Sequence, residues 1–244
     1  MTEPLDPVLL LKAYAAGIFP MADGRDAAEV YWVEPRKRGV LPLEGFKLSR
    51  SLAKMLRSER YETTADRAFA EVVRLCAEEA EDRPSTWINR QIEASVALLH
   101  AGCHAHSIET WENGKLVGGL YGVRLGRAFF GESMFSRATD ASKVALAHLV
   151  VRLRAGGFTL LDCQFITPHL ASLGAIEIGR ADYLAALVSA VGGVAAAGAA
   201  SGAAESGDFF ALDRSFGADA SPRTTSVSGP ISGCFIAQAL VHTS

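Results

Sequence analysis

The segment from residue 116 to residue 146 constrains the fold of this chain most, because it changes from strand periodicity to helix periodicity. The Asn113-Gly114 pair before it is a strong hairpin signal, since both residues tolerate positive φ. A second turn is predicted at Gly126, and residues 128–135 form a nearly all-apolar run, typical of a strand buried on both faces. We therefore predict a strand, a turn, a strand, a loop and a helix, in this order.

The predicted helix begins after Asp140, which can cap it, and it carries one apolar stripe. The stripe follows the i, i+3, i+4, i+7 spacing of one helix face and consists of Leu146, Leu149, Val150 and Leu153. Two glycines at positions 156 and 157 end the helix, and residues 158–165 are predicted to form the next strand.

Three polar residues interrupt these apolar strands. Glu132 stands in the first of them, and Asp162 and Gln164 stand two residues apart in the second. Strict alternation puts Asp162 and Gln164 on one face and Cys163 on the other. A carboxylate and an amide are costly to bury unless they are paired. These residues are therefore candidates for a functional site, and a purely structural pair is the alternative.

The order of elements predicts an α/β (α+β) fold with a mixed sheet. We expect a small N-terminal basic α/β domain over residues 1–62, a catalytic domain over residues 63–190, and a linker and low-complexity tail over residues 191–244. From position 191 to position 207, 12 of 17 residues are Gly or Ala, which is typical of a flexible linker. We expect truncation after Val191 to leave the activity intact.

Composition and charge limit the classes of protein and the cellular locations that we expect. The chain has 244 residues and a net charge of −3, so its overall charge does not favour nucleic acid. Four widely spaced cysteines, with no CxxC pair, predict reduced thiols in a cytoplasmic protein, and the start lacks a signal-peptide pattern. Residues 183–204 are uncharged, but they are mostly Ala, Gly and Ser. We interpret them as a helix end and a linker, not as a membrane span.

Several patterns that resemble catalytic or metal sites are incomplete. His104 and His106 have no second ligand pair at a usual zinc spacing, so we expect no metal. The motif around Ser133 lacks the second glycine of a nucleophile elbow. His148 and His169 are interpreted as structural histidines, because nothing in the sequence places them near Ser133.

Positive charge gathers between residues 36 and 60. This stretch has eight basic and two acidic residues, a local charge of 8 − 2 = +6. Arg50, Lys54 and Arg57 share the outer face of a helix that Ser49 caps. The face is either a solvated helix surface or an anion-binding surface, and its contrast with the acidic chain keeps both interpretations open.

The predicted order of strand, strand, strand, helix, strand, helix and strand from Ala105 to Ile178 resembles the GNAT acyltransferase core. GNAT enzymes usually carry a glycine-containing loop after the third strand, which binds the pyrophosphate of acyl-CoA. The corresponding residues 136–141 contain no glycine, so acyl-CoA is not expected as the donor.

Nine short motifs from about Leu9 to Leu184 closely resemble the leucyl/phenylalanyl-tRNA–protein transferase family. They are Ala13-Tyr14-x-x-Gly17-Ile-Phe-Pro20, Ser49-Arg-Ser51, Thr86-Trp-Ile88, Ala105-His-Ser-Ile-Glu109, Leu116-Val-Gly-Gly-Leu-Tyr-Gly122, Gly131-Glu-Ser-Met-Phe-Ser136, Ala141-Ser-Lys143, Asp162-Cys-Gln164 and Ala171-Ser-Leu-Gly174. The family moves Leu or Phe from aminoacyl-tRNA to proteins that begin with Arg or Lys. This transfer marks them for N-end-rule degradation in the bacterial cytoplasm.

The resemblance implies a role for individual residues. A pocket for the Leu or Phe side chain is implied by Leu120, Phe129, Met134, Leu146, Leu149 and Leu161. The implied reaction centre consists of Glu132, Asp162 and Gln164, and the residues implied near the 3′-terminal adenosine are Trp32 and Trp87.

Two departures from the family pattern lie away from the reaction centre. Val96 stands where the family often has Tyr, and the chain after Leu187 is unlike the usual short ending. There is also a local difficulty, because alternation places Phe129 and Met134 on opposite faces of one strand. Both can line one pocket only if the strand is bulged, and Gly131 is the natural place for a bulge.

The ester of aminoacyl-tRNA is already activated, so no metal or cofactor is required. Aligning the ester with an amine is worth about 7–11 kcal/mol in favourable cases. We expect Gln164 to guide the amine or the developing oxyanion, Asp162 to hold Gln164, and Glu132 to attract the cationic acceptor. The expected partners of a monomeric protein are aminoacyl-tRNA and proteins with N-terminal Arg or Lys, with no membrane.

Two rival functions stay open at this point. One is a GNAT-like transferase that uses aminoacyl-tRNA but another acceptor, such as a peptidoglycan peptide. The other is a non-catalytic module that binds tRNA or peptide and keeps the fold. Transfer of label from leucyl-tRNA to an Arg-initiated peptide separates all three functions.

The basic helix generates a prediction about tRNA binding. Replacing Arg50, Lys54 and Arg57 together by Ala should weaken binding similarly for all tRNA sequences and flatten its salt dependence, because phosphate contacts release counterions. The measurement is tRNA affinity over a series of salt concentrations. An unchanged salt slope would mean that the three residues form only a solvated face.

Overall fold

The computed structural model describes residues 3–78, 85–192, 206–216 and 230–241. Most of the stretch interpreted as a linker, residues 193–205, lies outside the described residues. No helix within the described ranges is long and apolar enough to cross a membrane.

Nine α-helices and nine strands make up the described parts of the chain. In chain order they are α1 (Pro7–Ala15), β1 (Phe19–Met21), β2 (Tyr31–Val33), β3 (Lys37–Val40), α2 (Arg50–Arg57), β4 (Glu62–Ala65), α3 (Phe69–Cys76), α4 (Arg90–Ala101), β5 (Ala105–Glu112), β6 (Lys115–Leu125), β7 (Ala128–Ser136), α5 (Ala141–Ala155), β8 (Leu160–Gln164), α6 (Pro168–Ser172), β9 (Ile176–Gly179), α7 (Arg180–Val191), α8 (Ala211–Arg214) and α9 (Gly233–Val241). The element order predicted between residues 105 and 178 is confirmed.

Seven strands form the central sheet, in the order β4-β5-β6-β7-β8-β3-β9. The pair β7 and β8 is parallel and is connected through α5, whereas the other neighbouring strands are antiparallel. The predicted α/β fold with a mixed sheet is therefore confirmed. The two apolar clusters of the core lie against this sheet, and α5 belongs to one of them.

The expected bulge is present in β7. Tyr121 pairs with Ser133, but the next residue of β6, Gly122, pairs with Gly131, so Glu132 is the extra residue. A Cβ atom on Gly122 would lie 2.3 Å from Phe130 O, so only glycine allows this close approach. The bulge changes the alternation between Phe129 and Met134, as the sequence required.

The cap predicted at Ser49 is confirmed, whereas the side chain of Asp140 does not cap α5. The side chains of Ser49 and Thr167 accept backbone N–H groups of the first turns of α2 and α6. Asp140 occupies the N-cap position of α5 with a left-handed φ of 61°, but its side chain caps no backbone group. It accepts a hydrogen bond from Lys143 Nζ at 2.7 Å instead.

The boundary predicted at residue 62 lies between two parts of the chain that contribute strands to one sheet. Strand β3, from the supposed N-terminal domain, lies inside the central sheet between β8 and β9. Val40 pairs with Asp162 on one side and with Ile176 on the other. Residues on both sides of position 62 therefore share one sheet, and β1 with β2 forms a separate two-stranded sheet.

The described parts of the chain after Val191, which was predicted from the sequence to be a linker and a low-complexity tail, pack on the core. Phe209, Phe210 and other apolar residues of 206–216 and 230–241 belong to the main core cluster. The ring of Phe209 stacks on His106 at a centroid distance of 4.1 Å. Helix α9 packs against α2 and α5.

A buried ion pair fixes α8 to α5. Arg152 is fully buried, and its Nη2 donates to Asp213 Oδ1 at 2.8 Å. Arg152 Nη1 also donates to the backbone oxygen of Phe209 at 2.8 Å. This packing was not predicted from the sequence. Asp213, the partner of Arg152, lies about 60 residues away and beyond a stretch rich in glycine and alanine.

We predict that Asp213→Ala lowers the free energy of unfolding by about 3–5 kcal/mol, because it leaves Arg152 buried without its carboxylate. Denaturant unfolding measures the loss. Truncation after Val191 should destabilise the protein further, since it also removes the apolar side chains of the tail. The control is Glu177→Ala, which breaks an exposed pair with Lys37 and should cost less than about 1 kcal/mol. Equal losses for the two single variants would contradict the assigned role.

Candidate active site

A cavity of about 310 Å³ opens beside the bulge of β7. Its wall comes from β6, β7, β8 and α5, and from residues Phe19 and Met21 of the N-terminal strand β1. The bulge and the end of β8 both border it, so the two polar interruptions noted in the sequence meet here.

One side of the cavity is apolar. Five of the six residues expected in a side-chain pocket line it, namely Leu120, Met134, Leu146, Leu149 and Leu161. The sixth, Phe129, is fully buried and does not line the cavity. Its ring packs against Phe158 and Phe209, at centroid distances of 6.4 and 5.8 Å. It therefore lies in the core behind the wall.

The polar side of the cavity is formed by Glu132 and Gln164. Gln164 Nε2 donates a hydrogen bond to Glu132 Oε1 at 3.2 Å. The expected facing of the β8 side chains is wrong, because Cys163 and Gln164 both line the cavity and Asp162 does not. Gln164 has a left-handed φ of 54°, and this breaks the alternation of the strand.

Asp162 lies behind the cavity wall with no solvent exposure. Its carboxylate accepts hydrogen bonds from Arg38 Nη2 at 2.7 Å and from the Tyr183 hydroxyl at 2.7 Å. Asp162 Oδ1 also accepts the backbone N–H of Gln164 at 2.8 Å. The predicted contact between the two residues thus exists, but it uses the backbone of Gln164 and not its amide.

Glu132 is nearly buried, and burial raises its pKa to about 8. A hydrogen bond from Tyr14 and the charge of Arg38 act in the opposite direction, whereas the charge of Asp162 raises the pKa further. Burial and the neighbouring Glu132 raise the pKa of the Tyr14 hydroxyl, so this group stays protonated and donates to Glu132. The carboxyl group can therefore exchange a proton near neutral pH.

The two tryptophans expected near adenosine occupy different positions. Trp87 lines the cavity beside β1, and its backbone oxygen accepts the N–H of Ala22 at 3.1 Å. Trp32 does not line the cavity. It lies on β2 opposite Pro20 and is 41% exposed. Val96, where the family often has Tyr, is buried in the core.

The basic stretch divides into buried and exposed groups. Arg38 is buried against Asp162, and Lys37 pairs with Glu177, so these two charges belong to the sheet. Arg50, Lys54 and Arg57 are exposed on α2, and within the described part of the chain no salt bridge engages them. These three side chains therefore form an exposed positive face on α2.

Other residues singled out in the sequence have local roles. Ser133 and His169 both line the cavity, although the sequence gave no reason to bring them together. His148 is fully buried in α5, and burial lowers its pKa well below the usual value. His106 Nδ1 lies 2.7 Å from Asp66 Oδ2. No group of three or more His, Cys, Asp or Glu residues in the described ranges is arranged to hold a metal ion.

Sequence reasoning missed Arg38, Tyr14 and Tyr183, which surround the two carboxyl groups. One signal was available, because a carboxylate in an apolar strand requires a cation when it is buried. Arg38 is the second residue of β3 and comes just before the apolar run that starts at Val40, but from the sequence it was counted with the basic stretch.

Two family models match this chain. A family model described as leucyl/phenylalanyl-tRNA protein transferase matches residues 40–188, and the model of the N-terminal domain of that family matches residues 3–36. The division between the two models lies near β3 rather than at residue 62.

Curated relatives agree with the family models. A leucyl/phenylalanyl-tRNA–protein transferase of Rhizorhabdus wittichii is 64% identical over 99% of this chain and 100% of its own length. One of Zymomonas mobilis is 65% identical over 78% of this chain and 71% of its own length. Among solved structures, L-PGS from Bacillus licheniformis covers 66% of this chain and 53% of its own, with 13% identity and a TM-score of 0.38, which carries no weight for function. The chain belongs to the leucyl/phenylalanyl-tRNA–protein transferase family.

Proposed function

We propose that this protein transfers Leu or Phe from aminoacyl-tRNA to the α-amine of proteins that begin with Arg or Lys, forming a peptide bond. Membership of the family supports aminoacyl transfer from tRNA to a protein. The observation that carries the proposal is one cavity with an apolar wall and a facing pair of Glu132 and Gln164. Such a cavity suits an apolar aminoacyl group whose ester lies beside a proton acceptor.

The donor side chain fits the apolar wall. Leu146 and Leu149 of α5 and Leu120 and Met134 of the sheet line this cavity, whose volume of about 310 Å³ is large enough for a Leu or Phe side chain. A charged side chain would be buried there without a partner, which is costly. Trp87 offers an aromatic surface at the same cavity for the terminal adenosine. The exposed cations of α2 supply contacts to tRNA phosphates.

The acceptor is favoured by charge. Among the described residues that line the cavity there is one carboxyl group, Glu132, and no Lys or Arg. Asp162 adds little to the local field, because Arg38 neutralises it at 2.7 Å. A cationic N-terminus beside Glu132 therefore lowers the pKa of this carboxyl group, since a nearby positive charge favours its ionised form.

The reaction needs one proton acceptor and correct alignment. The pKa of Glu132, about 8, is close to the roughly 7.7–8.0 of an α-amine, so proton transfer between them is nearly balanced. Because Gln164 Nε2 is directed to Glu132, the amide oxygen of Gln164 remains to accept an N–H of the amine. The neutral amine then attacks the ester carbon.

Group transfer conserves atoms and charge as follows. A C–N bond forms between the amine and the aminoacyl carbon, and the C–O bond to the terminal ribose breaks. The ammonium group of the acceptor gives one proton to ionised Glu132 before the attack, and after the C–N bond forms the nitrogen loses a second proton, which the departing ribose oxygen takes. Catalysis thus consists of orientation and one proton exchange.

We place the reaction in the cytoplasm, where aminoacyl-tRNA is made. One chain holds both the apolar wall and the polar pair, so we propose that the protein acts as a monomer. The rival with a peptidoglycan acceptor uses the same donor and differs only at the mouth of the cavity. A non-catalytic module would not need a carboxyl group with a raised pKa.

The function is tested with radiolabelled leucyl-tRNA or phenylalanyl-tRNA and peptides that differ only in their first residue. We predict label on peptides that begin with Arg or Lys, and almost none on peptides that begin with Ala or with acetylated Arg. Label only on a peptidoglycan-type peptide would support the rival transferase. Donor binding with no transfer to any acceptor would support the non-catalytic module.

Glu132→Gln gives a second prediction, on stability against pH. Because burial raises the pKa of Glu132 to about 8, the folded protein keeps a proton that the unfolded chain releases above about pH 4.3. The contribution of protonated Glu132 to the free energy of unfolding is complete below about pH 4.3, and it is lost as pH rises to about 8. Glutamine does not titrate.

We therefore expect Glu132→Gln to become more stable relative to the wild type as pH rises from 4.3 to 8, while its single-turnover transfer rate falls about 100- to 10,000-fold. Thermal melting at several pH values and rapid-quench kinetics measure the two effects. Exposed Glu29→Gln is the control and should change neither. A difference in melting temperature that does not vary with pH would refute the assigned titration.

A further inference from the structure

The guanidinium of Arg38 is held on every side. Arg38 is 1% exposed, and its Nε donates to Asp162 Oδ1 and Oδ2 at 2.9 and 3.0 Å. Its Nη1 donates to the backbone oxygen of Gly17 at 3.2 Å. The rings of Phe19 and Tyr183 lie 4.6 and 4.7 Å from its central carbon. Arg38 therefore fixes Asp162 in one orientation and does not reach the cavity itself.

Asp162 passes this constraint to Gln164 through the backbone. Asp162 Oδ1 accepts the Gln164 N–H at 2.8 Å, while Oδ2 accepts from Arg38 and Tyr183. The carboxylate oxygens are thus engaged by three residues and are fully buried. Neither oxygen is available to take a proton from a substrate in the cavity.

The conformation of Gln164 determines where its amide lies. Its φ of 54° is left-handed, which is disfavoured for a residue with a Cβ atom. In an ordinary strand conformation Gln164 would share the face of Asp162, away from the cavity. The left-handed backbone instead brings its Nε2 within 3.2 Å of Glu132. The hydrogen bond from Gln164 N–H to Asp162 holds the disfavoured conformation.

Gly39 of β3, the residue after Arg38, also constrains the backbone around Gln164. Gly39 pairs with Gln164 at an irregular register. A Cβ atom on Gly39 would lie 2.9 Å from the backbone carbon of Phe165 and 3.0 Å from Ile166 N. The backbone after Gln164 therefore packs directly on β3, next to Arg38. Two consecutive residues of β3 thus set the path of the chain at the cavity.

We propose that Arg38 is a positioning residue for aminoacyl transfer, because its fork holds Asp162 so that Asp162 holds the left-handed backbone of Gln164 and aims the amide at the reacting amine. This inference rests on the proposed function. Arg38 touches neither donor nor acceptor, and its effect reaches the reaction only through Gln164. A buried pair that merely braces the sheet would affect stability and leave the chemistry of the folded protein unchanged.

The principal variant is Arg38→Lys, which keeps the charge but cannot form the fork of parallel hydrogen bonds. We expect its single-turnover transfer rate to fall about 10- to 100-fold, as for a misplacement of about 1 Å, while the affinity for leucyl-tRNA changes less than about twofold. Rates are measured on the folded fraction with leucyl-tRNA and an Arg-initiated peptide.

The chain offers a matched control in its other fully buried arginine pair. Arg152 is fully buried against Asp213, which is 3% exposed, and neither residue lines the cavity. Arg152→Lys should lower the melting temperature at least as much as Arg38→Lys, yet leave the single-turnover rate of the folded fraction within about twofold. An equal rate loss in both variants would overturn the proposal, because burial alone would then explain it.

A double-mutant cycle separates positioning from bracing. In the Gln164→Ala background the amide is absent, so Arg38→Lys should cost no further rate, because residues that act as a unit are non-additive. Rate losses that multiply in the double variant would overturn the proposal. Wild-type protein that fails to transfer label would instead refute the proposed function, and it is measured first.

A milder variant keeps the test decisive if Arg38→Lys does not fold. Tyr183→Phe removes one hydrogen bond to Asp162 and keeps the ring against Arg38. We expect a rate loss of about 3- to 10-fold in the wild-type background, in keeping with the loss of one hydrogen bond to a charged group, and none in the Gln164→Ala background. An unchanged rate in the wild-type background, or an equal loss in both backgrounds, would overturn the proposal.

Discussion

The buried pair of Arg38 and Asp162 is the interaction on which the candidate site depends. It joins β3 to β8 within one sheet, and Arg38 also binds the backbone at Gly17, so the N-terminal segment is fixed to the same point. Desolvation offsets much of the attraction in such a pair, so its net contribution to stability is small. Its main consequence is geometric, since one arrangement of the fork satisfies all of these partners.

Two carboxyl groups therefore have different roles because their surroundings differ. Asp162 meets a guanidinium and two further donors, and it lies behind the wall. Glu132 meets Tyr14 and Gln164 but no cation of its own, and burial raises its pKa to about 8. This separation is what the proposed function requires, with Glu132 exchanging the proton and Asp162 serving as an anchor.

Much of the fold follows from sequence periodicity, and the site departs from it in a systematic way. The order of elements from β5 to β9 and the mixed sheet were predicted, because strand and helix periods are local properties. A bulge was also predicted, at Gly131, and the extra residue is its neighbour Glu132; the premise of that prediction was wrong, because Phe129 does not line the cavity. Alternation failed at Gln164, whose left-handed φ depends on the hydrogen bond that its own N–H donates to Asp162, a residue that is itself held by Arg38.

Long-range partners explain the remaining errors. The cation for Asp162 lies 124 residues away, within a run of basic residues that looks like an exposed face. The partner of Arg152 lies beyond the alanine- and glycine-rich stretch, where no periodicity marks it. Local patterns identify a group that needs a partner, but they do not identify the partner.

Helix α5 shows why this chain needs a packed tail. Leu146 and Leu149 line the cavity on one side, but 12 of the 15 residues in the helix are buried, including Arg152 on another side. A helix that is apolar nearly all round must be covered all round. The sheet covers one face of α5, and α8 and α9 cover others. The described parts of the tail thus complete the burial of α5, and none of their residues lines the cavity.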